Sequence, residues 1–258
     1  MNLKILKYKK NGKDKYKLYL DNNEEIEVYE DVIIKNDLLL KKEININEMD
    51  EINKQNKVEY GYIISLKYIS IKMRSEKEIR DYLIKKNMEL GFIDIIVERL
   101  KKNNLINDEI FCRAFINDQV NITNNGINRI IKGLQKYGIK QDIIDNEISK
   151  IDSSIIKEKL SRLINKQLKV KKGSCNQIKQ KLLLYFINLG YDKDMIISEL
   201  SKFDIKTDLS VLKKDYQKLY ATYSKKYNES ELKYIIYNKL LIKGYSSEDI
   251  KSVLKWKK

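Results

Sequence analysis

The sequence predicts a mainly α-helical protein: tandem three-helix repeats forming an elongated, curved solenoid, preceded by a small β-rich module. Three observations carry this reading. Proline is absent from all 258 residues, so helices can run without the breaks its ring and missing N–H impose. Apolar residues recur at helical spacing in four blocks, 51 to 54 residues apart. The first thirty residues instead alternate apolar and polar, with turn residues between the runs.

Residues 1–57 read as a β-meander with one helix. Leu3-Lys4-Ile5 precedes Asn11-Gly12, a hairpin-turn pair because both residues tolerate positive φ. Tyr16–Leu20 alternates with period two, Asp21-Asn22-Asn23 is a second turn, and Ile26–Tyr29 is a third strand. Val32–Leu40 reads as a short helix, and Asn47-Glu48-Met49 starts another. The module offers no reactive constellation and reads as a docking or folding unit.

Beyond residue 58 the helical period takes over and repeats. Asn87, Gly138, Gly190 and Gly244 serve as reference positions. Eight residues before them stand Ile79, Ile130, Leu182 and Ile236; four before stand Leu83, Leu134, Phe186 and Leu240. One after stand Met88, Ile139, Tyr191 and Tyr245. Six after come Ile93, Ile144, Ile196 and Ile250, and ten after come Val97, Ile148, Leu200 and Leu254. Positions −8 and −4 share one helical face, as do +6 and +10. The reference glycine ends a helix in the left-handed conformation, and Asn87 is the next best residue for it. A longer helix precedes each pair, near 59–72, 107–121, 154–170 and 209–226. The predicted repeats are 58–105, 106–152, 153–205 and 206–258. Such units stack on their neighbours; a compact helical bundle is the alternative arrangement.

Composition closes several routes. With 42% apolar residues the chain can build a core. Its longest apolar run, Leu182–Ile187, is far short of the ~20 residues that span a bilayer. Cys112 and Cys175 form neither a metal spacing nor a disulfide framework, which suits a reducing cytoplasm. Histidine is absent, which excludes catalytic triads, imidazole bases and His-ligated zinc. There is no Gly-rich phosphate loop with Lys-Ser/Thr. No enzyme, cofactor or metal is expected.

The net charge of +15 is unevenly placed: residues 1–57 are neutral, and 58–258 carry all of it. That is the footprint of a polyanion-binding surface. A soluble basic surface without a partner is the competing reading.

Arg74-Ser75-Glu76-Lys77-Glu78 opens the first Gly-type helix, with Ser75 and Glu78 placed as a capping box. The run Tyr68-Ile69-Ser70-Ile71-Lys72-Met73-Arg74-Ser75-Glu76-Lys77-Glu78-Ile79-Arg80-Asp81-Tyr82-Leu83 resembles the signature of the RecX family, regulators of the RecA recombinase. Val97–Leu100, Leu105–Glu109 and Phe111-Cys112-Arg113-Ala114-Phe115 are similar to the family's next block, and Gly126–Gly138 to its second repeat. Met73, Asn87 and Asn107 depart from the family pattern; residues 151–258 match it mainly through the repeat.

The resemblance implies tandem three-helix repeats that bind in the groove of the RecA–single-stranded-DNA filament and bridge its protomers. It implies restraint of ATP hydrolysis and strand exchange in recombination and repair, without enzymatic activity. A monomer with RecA filament and single-stranded DNA as partners, and no membrane, is expected. The alternative is a non-sequence-specific nucleic-acid-binding repeat protein without a recombinase partner.

The expected contacts are Lys72, Arg74, Arg80, Lys85 and Lys86 in the first repeat; Arg113, Arg129, Lys132 and Lys136 in the second; and Lys169, Lys171, Lys172 and Lys179 in the third. The chain has six arginines against 46 lysines, so an arginine is expected where its planar fork is used, toward phosphate or in an internal ion pair. Tyr82, Tyr191, Tyr245, Phe111 and Phe115 read as core.

Overall fold

The structure, a computed structural model, describes residues 2–254, without the side chain of Leu254. Strands β1 (Asn2–Lys10), β2 (Lys15–Leu20) and β3 (Glu25–Tyr29) are followed by α1 (Glu30–Lys35), β4 (Glu43–Asn45) and α2 (Ile46–Ile69). Then come α3 (Glu76–Lys85), α4 (Leu90–Lys102), α5 (Asp108–Ile122), α6 (Ile127–Lys136) and α7 (Gln141–Ser149). The remainder is α8 (Ser153–Leu168), α9 (Cys175–Asn188), α10 (Lys193–Ser201), α11 (Leu209–Tyr223), α12 (Glu229–Ile242) and α13 (Ser247–Leu254). From α2 onward the helices fall in threes.

The chain divides into two compact units. Among the described residues, one takes those up to Arg113 together with Gln135–Ile143, and the other takes Ala114–Leu134 and those from Ile144 onward. The triple α5–α7 contributes to both.

In the first unit the sheet order is β3-β2-β1-β4, antiparallel throughout. Leu3, Leu18, Leu20, Val28, Val32, Ile33, Leu38, Ile44 and Ile52 form its core. The first turn is longer than Asn11-Gly12 suggests. Asn11–Asp14 all lie outside the strands, and only Gly12 of the pair takes positive φ, at 82°. β4 has three residues, too few to display an alternation. Asn56 closes the outer edge of β3, accepting the Tyr29 N–H at 2.9 Å and donating to the Glu27 carbonyl. A capping box of Asn45 and Glu48 starts α2, which runs unbroken through position 57. The β-module and the first repeat therefore share one helix and have no linker between them. α2 crosses α4 closely at Gly61, where a Cβ would stand 2.4 Å from Ile96 Cδ1.

The repeat columns are the cores. Ile79, Leu83, Ile93 and Val97 are buried in the first unit. Leu182, Phe186, Ile196 and Leu200, then Ile236, Leu240 and Ile250, are buried in the second. Ile130, Leu134, Ile139 and Ile144 are buried too, while Met88 and Ile148 are half-buried. Leu254, the last of its column, has its side chain outside the described residues.

The reference residues all take positive φ: Asn87 58°, Gly138 76°, Gly190 89° and Gly244 83°. The three glycines have a second task. Each ends its helix against the start of the middle helix of the preceding triple. At the α6–α3 contact, Ser75 Oγ donates to the Tyr137 carbonyl at 2.8 Å, and Lys77 Nζ to Lys136 at 3.1 Å. At α9–α6, the Gly126 and Asn128 N–H groups donate to the Leu189 and Gly190 carbonyls at 2.8 and 3.0 Å. At α12–α9, Ser174 Oγ donates to the Lys243 carbonyl at 3.2 Å. Orphan carbonyls of one helix thus meet donors at the positive end of another, which aligns the two macrodipoles. A Cβ on Gly138, Gly190 or Gly244 would lie 2.8 Å from Lys77 Cβ, 2.4 Å from Arg129 N, or 3.1 Å from Ser174 Oγ. Asn87 ends the first middle helix of the series. There only the φ requirement applies, and a side chain is tolerated.

Candidate nucleic-acid interface

The start of α3 is the most densely bonded part of the predicted surface. Ser75 and Glu78 form the capping box. The Glu78 carboxylate also takes Arg74 Nη1 at 3.1 Å and Lys72 Nζ at 3.2 Å. Arg74 is 9% exposed. Its guanidinium lies 3.7 Å from the Tyr68 ring centroid, and Nε donates to the Tyr68 carbonyl. Tyr68 stacks on Tyr82 with centroids 4.2 Å apart, and Lys86 Nζ lies 5.7 Å from the Tyr82 centroid. A ladder of cation, two rings and cation therefore runs along this face. Its Lys86 end is exposed, and its Arg74 end is built into the fold.

Arg80 is likewise engaged, with Glu76 at 2.7 Å and Asp94 at 2.6 Å. The rarity of arginine pointed to places where a planar fork is used; the structure resolves that use as internal pairing for Arg74 and Arg80. Lys72, Arg74 and Arg80 thus serve acids of this chain. Arg113 is exposed, and Arg129 Nη1 reaches the Asn188 carbonyl at 3.3 Å.

Lys85 and Lys86 at the end of α3 are exposed, as are Lys132, Lys136, Lys169, Lys172 and Lys179. None of these seven makes an ion pair among the described residues. Lys169, Lys171 and Lys172 lie in the α8–α9 connection and Lys179 on α9, all within the second unit. Lys171 Nζ stands 5.7 Å from the Tyr185 centroid. Tyr185 occupies the column of Tyr82, five residues before the reference position. Two triples therefore present a lysine over a half-buried tyrosine. Such cation–aromatic surfaces suit a charged backbone with stackable bases.

Sequence reasoning missed three arrangements. Lys159 is buried, and its Nζ donates to the Gln119, Val120 and Asn125 carbonyls at 3.3, 2.8 and 3.3 Å. It closes the end of α5 as a cation at a negative helix terminus. Burial pulls its pKa below the ordinary lysine value, with Arg162 adding to the effect. The signal was a lysine inside the apolar stripe Ile156, Leu160, Ile164. Second, Glu147 and Glu199 are buried at one repeat position, each paired with the lysine three residues on, Lys150 and Lys202. Hydrogen bonds from Lys202 and then Ser161 hold the Glu199 carboxyl below the ordinary glutamate range. In the first triple the column of those two lysines, twelve residues after the reference position, holds Arg99. It lies 3.8 Å from the Tyr62 centroid and pairs with Glu59 and Asp31, tying α4 to α2 and α1. Third, Asp108 accepts the Glu76 N–H at 2.9 Å, and in the second unit Thr207 Oγ1 accepts the Cys175 N–H at 3.2 Å. Burial, and then the nearby Glu76 carboxylate, push the Asp108 carboxyl above the ordinary aspartate value.

A cleft of about 730 Å³ is lined in the first unit by α1, α2 and α4. Val32, Val58, Phe92 and Ile95 are among its apolar lining residues, and its acids Asp31 and Glu59 are held by Arg99. Among the described residues no group of His, Cys, Asp and Glu could hold a metal ion, and no helix is long and apolar enough to cross a membrane.

The family model for the RecX first three-helix domain matches residues 62–100. The regulatory protein RecX of Streptococcus agalactiae serotype Ia is 33% identical over 257 residues, covering 98% of this chain and 99% of that one. The RecX of Streptococcus gordonii is 32% identical with the same coverage. Among solved structures, one of regulatory protein RecX superposes with a TM-score of 0.66 at 22% identity, over 75% of this chain and 96% of that one. RecX from Lactobacillus salivarius superposes with a TM-score of 0.54 at 23% identity, over 58% and 98%. Full-length identity to curated relatives, together with a shared fold, places the chain in the RecX family of regulatory proteins.

Proposed function

We propose that this protein regulates the RecA recombinase by binding the RecA–single-stranded-DNA filament in its groove, restraining ATP hydrolysis and strand exchange. The observation that carries the reading is the division of labour among the basic residues. Arg74, Arg80 and Arg99 are spent on internal acids, while lysines at helix ends in successive triples stay exposed and make no ion pair among the described residues. Unpaired cations on a repeating scaffold suit a repeating polyanion, and each phosphate neutralised releases a counterion. The protein acts as a monomer in the cytoplasm and performs no chemistry of its own.

The test is binding to RecA-coated and to bare single-stranded DNA across a salt series. Preference for the coated strand is the expected result. Equal affinity for both, with a steep salt slope, would instead support a general nucleic-acid-binding repeat protein.

A further inference from the structure

The β-module is neutral overall, yet its sheet is electrically polarised. β1 carries Lys4, Lys7, Lys9 and Lys10 and no acid. Residues 24–31, holding β3 and the start of α1, carry five acids and no base. None of the four β1 lysines makes an ion pair among the described residues.

β1 is also only half covered. β4 pairs with Asn2, Leu3 and Lys4, and the Lys42 carbonyl takes the Ile5 N–H. A bulge between Ile5 and Lys7 then turns the strand. Beyond it, Leu6–Lys10 has a neighbouring strand on the β2 side alone among the described residues. The Asn11 N–H points to β2, donating to Lys15. By the alternation of an antiparallel strand, Tyr8 and Lys10 therefore turn their N–H and C=O outward. Beside this edge the Tyr8 hydroxyl is bonded to the Leu38 and Lys41 carbonyls, anchoring a loop that exposes Leu39 (54%) and Leu40 (84%). Leu6 on the strand is 66% exposed.

We propose that the outer edge of β1, Leu6–Lys10, is a docking edge that takes an extended acidic segment of a partner protein as a further strand. Open main-chain groups supply the ladder on which strand addition rests. The lysines select acidic side chains, and Leu6, Leu39 and Leu40 offer apolar contact to the residues between. A second copy is a poor occupant. Its own β1 carries the same charge, which opposes edge-to-edge pairing, and its β3 edge is closed by Asn56. A nucleic acid has no peptide ladder to add. Docking at this edge does not depend on the recombinase reading.

The probe is a labelled peptide of alternating Glu and Val, about ten residues long, enough to span the edge. It is titrated into the full chain by fluorescence anisotropy, beside the same peptide N-methylated at alternate residues and beside phosphatidylserine vesicles. The unmodified peptide is expected to bind, the N-methylated one to bind at least about tenfold more weakly, and the variant Lys7→Glu/Lys9→Glu to lose about tenfold. Vesicles are expected not to bind. Equal binding of the N-methylated peptide, no peptide binding at all, or binding to vesicles alone would each overturn the proposal. The N-methyl comparison uses the unaltered protein, so it decides the matter even where the variant fails to fold.

Discussion

Tyr191 and Tyr245 fill the same corner of successive triples and end differently. The Tyr245 hydroxyl donates to Asp215 at 2.9 Å. The Tyr191 hydroxyl is buried without a hydrogen-bond partner among the described residues, and burial pushes its pKa up to about 12. An orphaned hydroxyl costs more than the ring gains from it. Tyr191→Phe should therefore stabilise the fold by about 1 kcal/mol and Tyr245→Phe destabilise it by a similar amount, read as opposite shifts of a denaturant midpoint. Glu199 supplies a pH test. Its folded pKa lies below the unfolded value of about 4.3, so its contribution is present above that pH and lost as pH falls through the folded pKa. A Glu199→Gln variant should be less stable than the parent at pH 7, with the gap closing under acid. A gap that persisted at pH 2 would refute the assignment. At this scale the sequence was partly legible. The Ser75–Glu78 box follows from spacing, whereas the Arg74 and Arg80 pairings depend on acids brought close by the helix turn and by α4.

The helix-to-helix contacts are the device that joins the triples, and they explain why a glycine column departs at its first member. Two requirements meet at Gly138, Gly190 and Gly244: positive φ, and close approach to another helix start. Asn87 meets the first alone. Substitution by alanine should cost about 1–2 kcal/mol for φ, plus a clash ranked by the room available: greatest at Gly190, smaller at Gly138 and least at Gly244. Asn87→Gly should change stability by less than about 1 kcal/mol. Equal costs at all four positions in thermal unfolding would remove close approach from the explanation. The column pattern was readable because one helical face faces one core. β4 and the continuity of α2 were not, because a three-residue strand shows no alternation, and the capping signal at Asn45 lies far from the apolar period that marks residues beyond 58.

For the whole molecule, charge is the property that sequence conveys best and assigns to individual residues worst. The excess beyond residue 57 is plain from counting, but which cations remain available depends on the acids each helix brings near them. Lys85 and Lys86 are exposed and make no ion pair among the described residues. Lys85→Ala/Lys86→Ala should reduce the salt slope of single-strand binding by about 0.7 for each phosphate left without its cation, with helicity unchanged. The most direct measurement is ATP hydrolysis by RecA on single-stranded DNA, titrated with the full chain. The account predicts a dose-dependent, saturable fall in hydrolysis, weakened by the Lys85/Lys86 double substitution. Hydrolysis unaltered at a stoichiometric excess of the protein would contradict it.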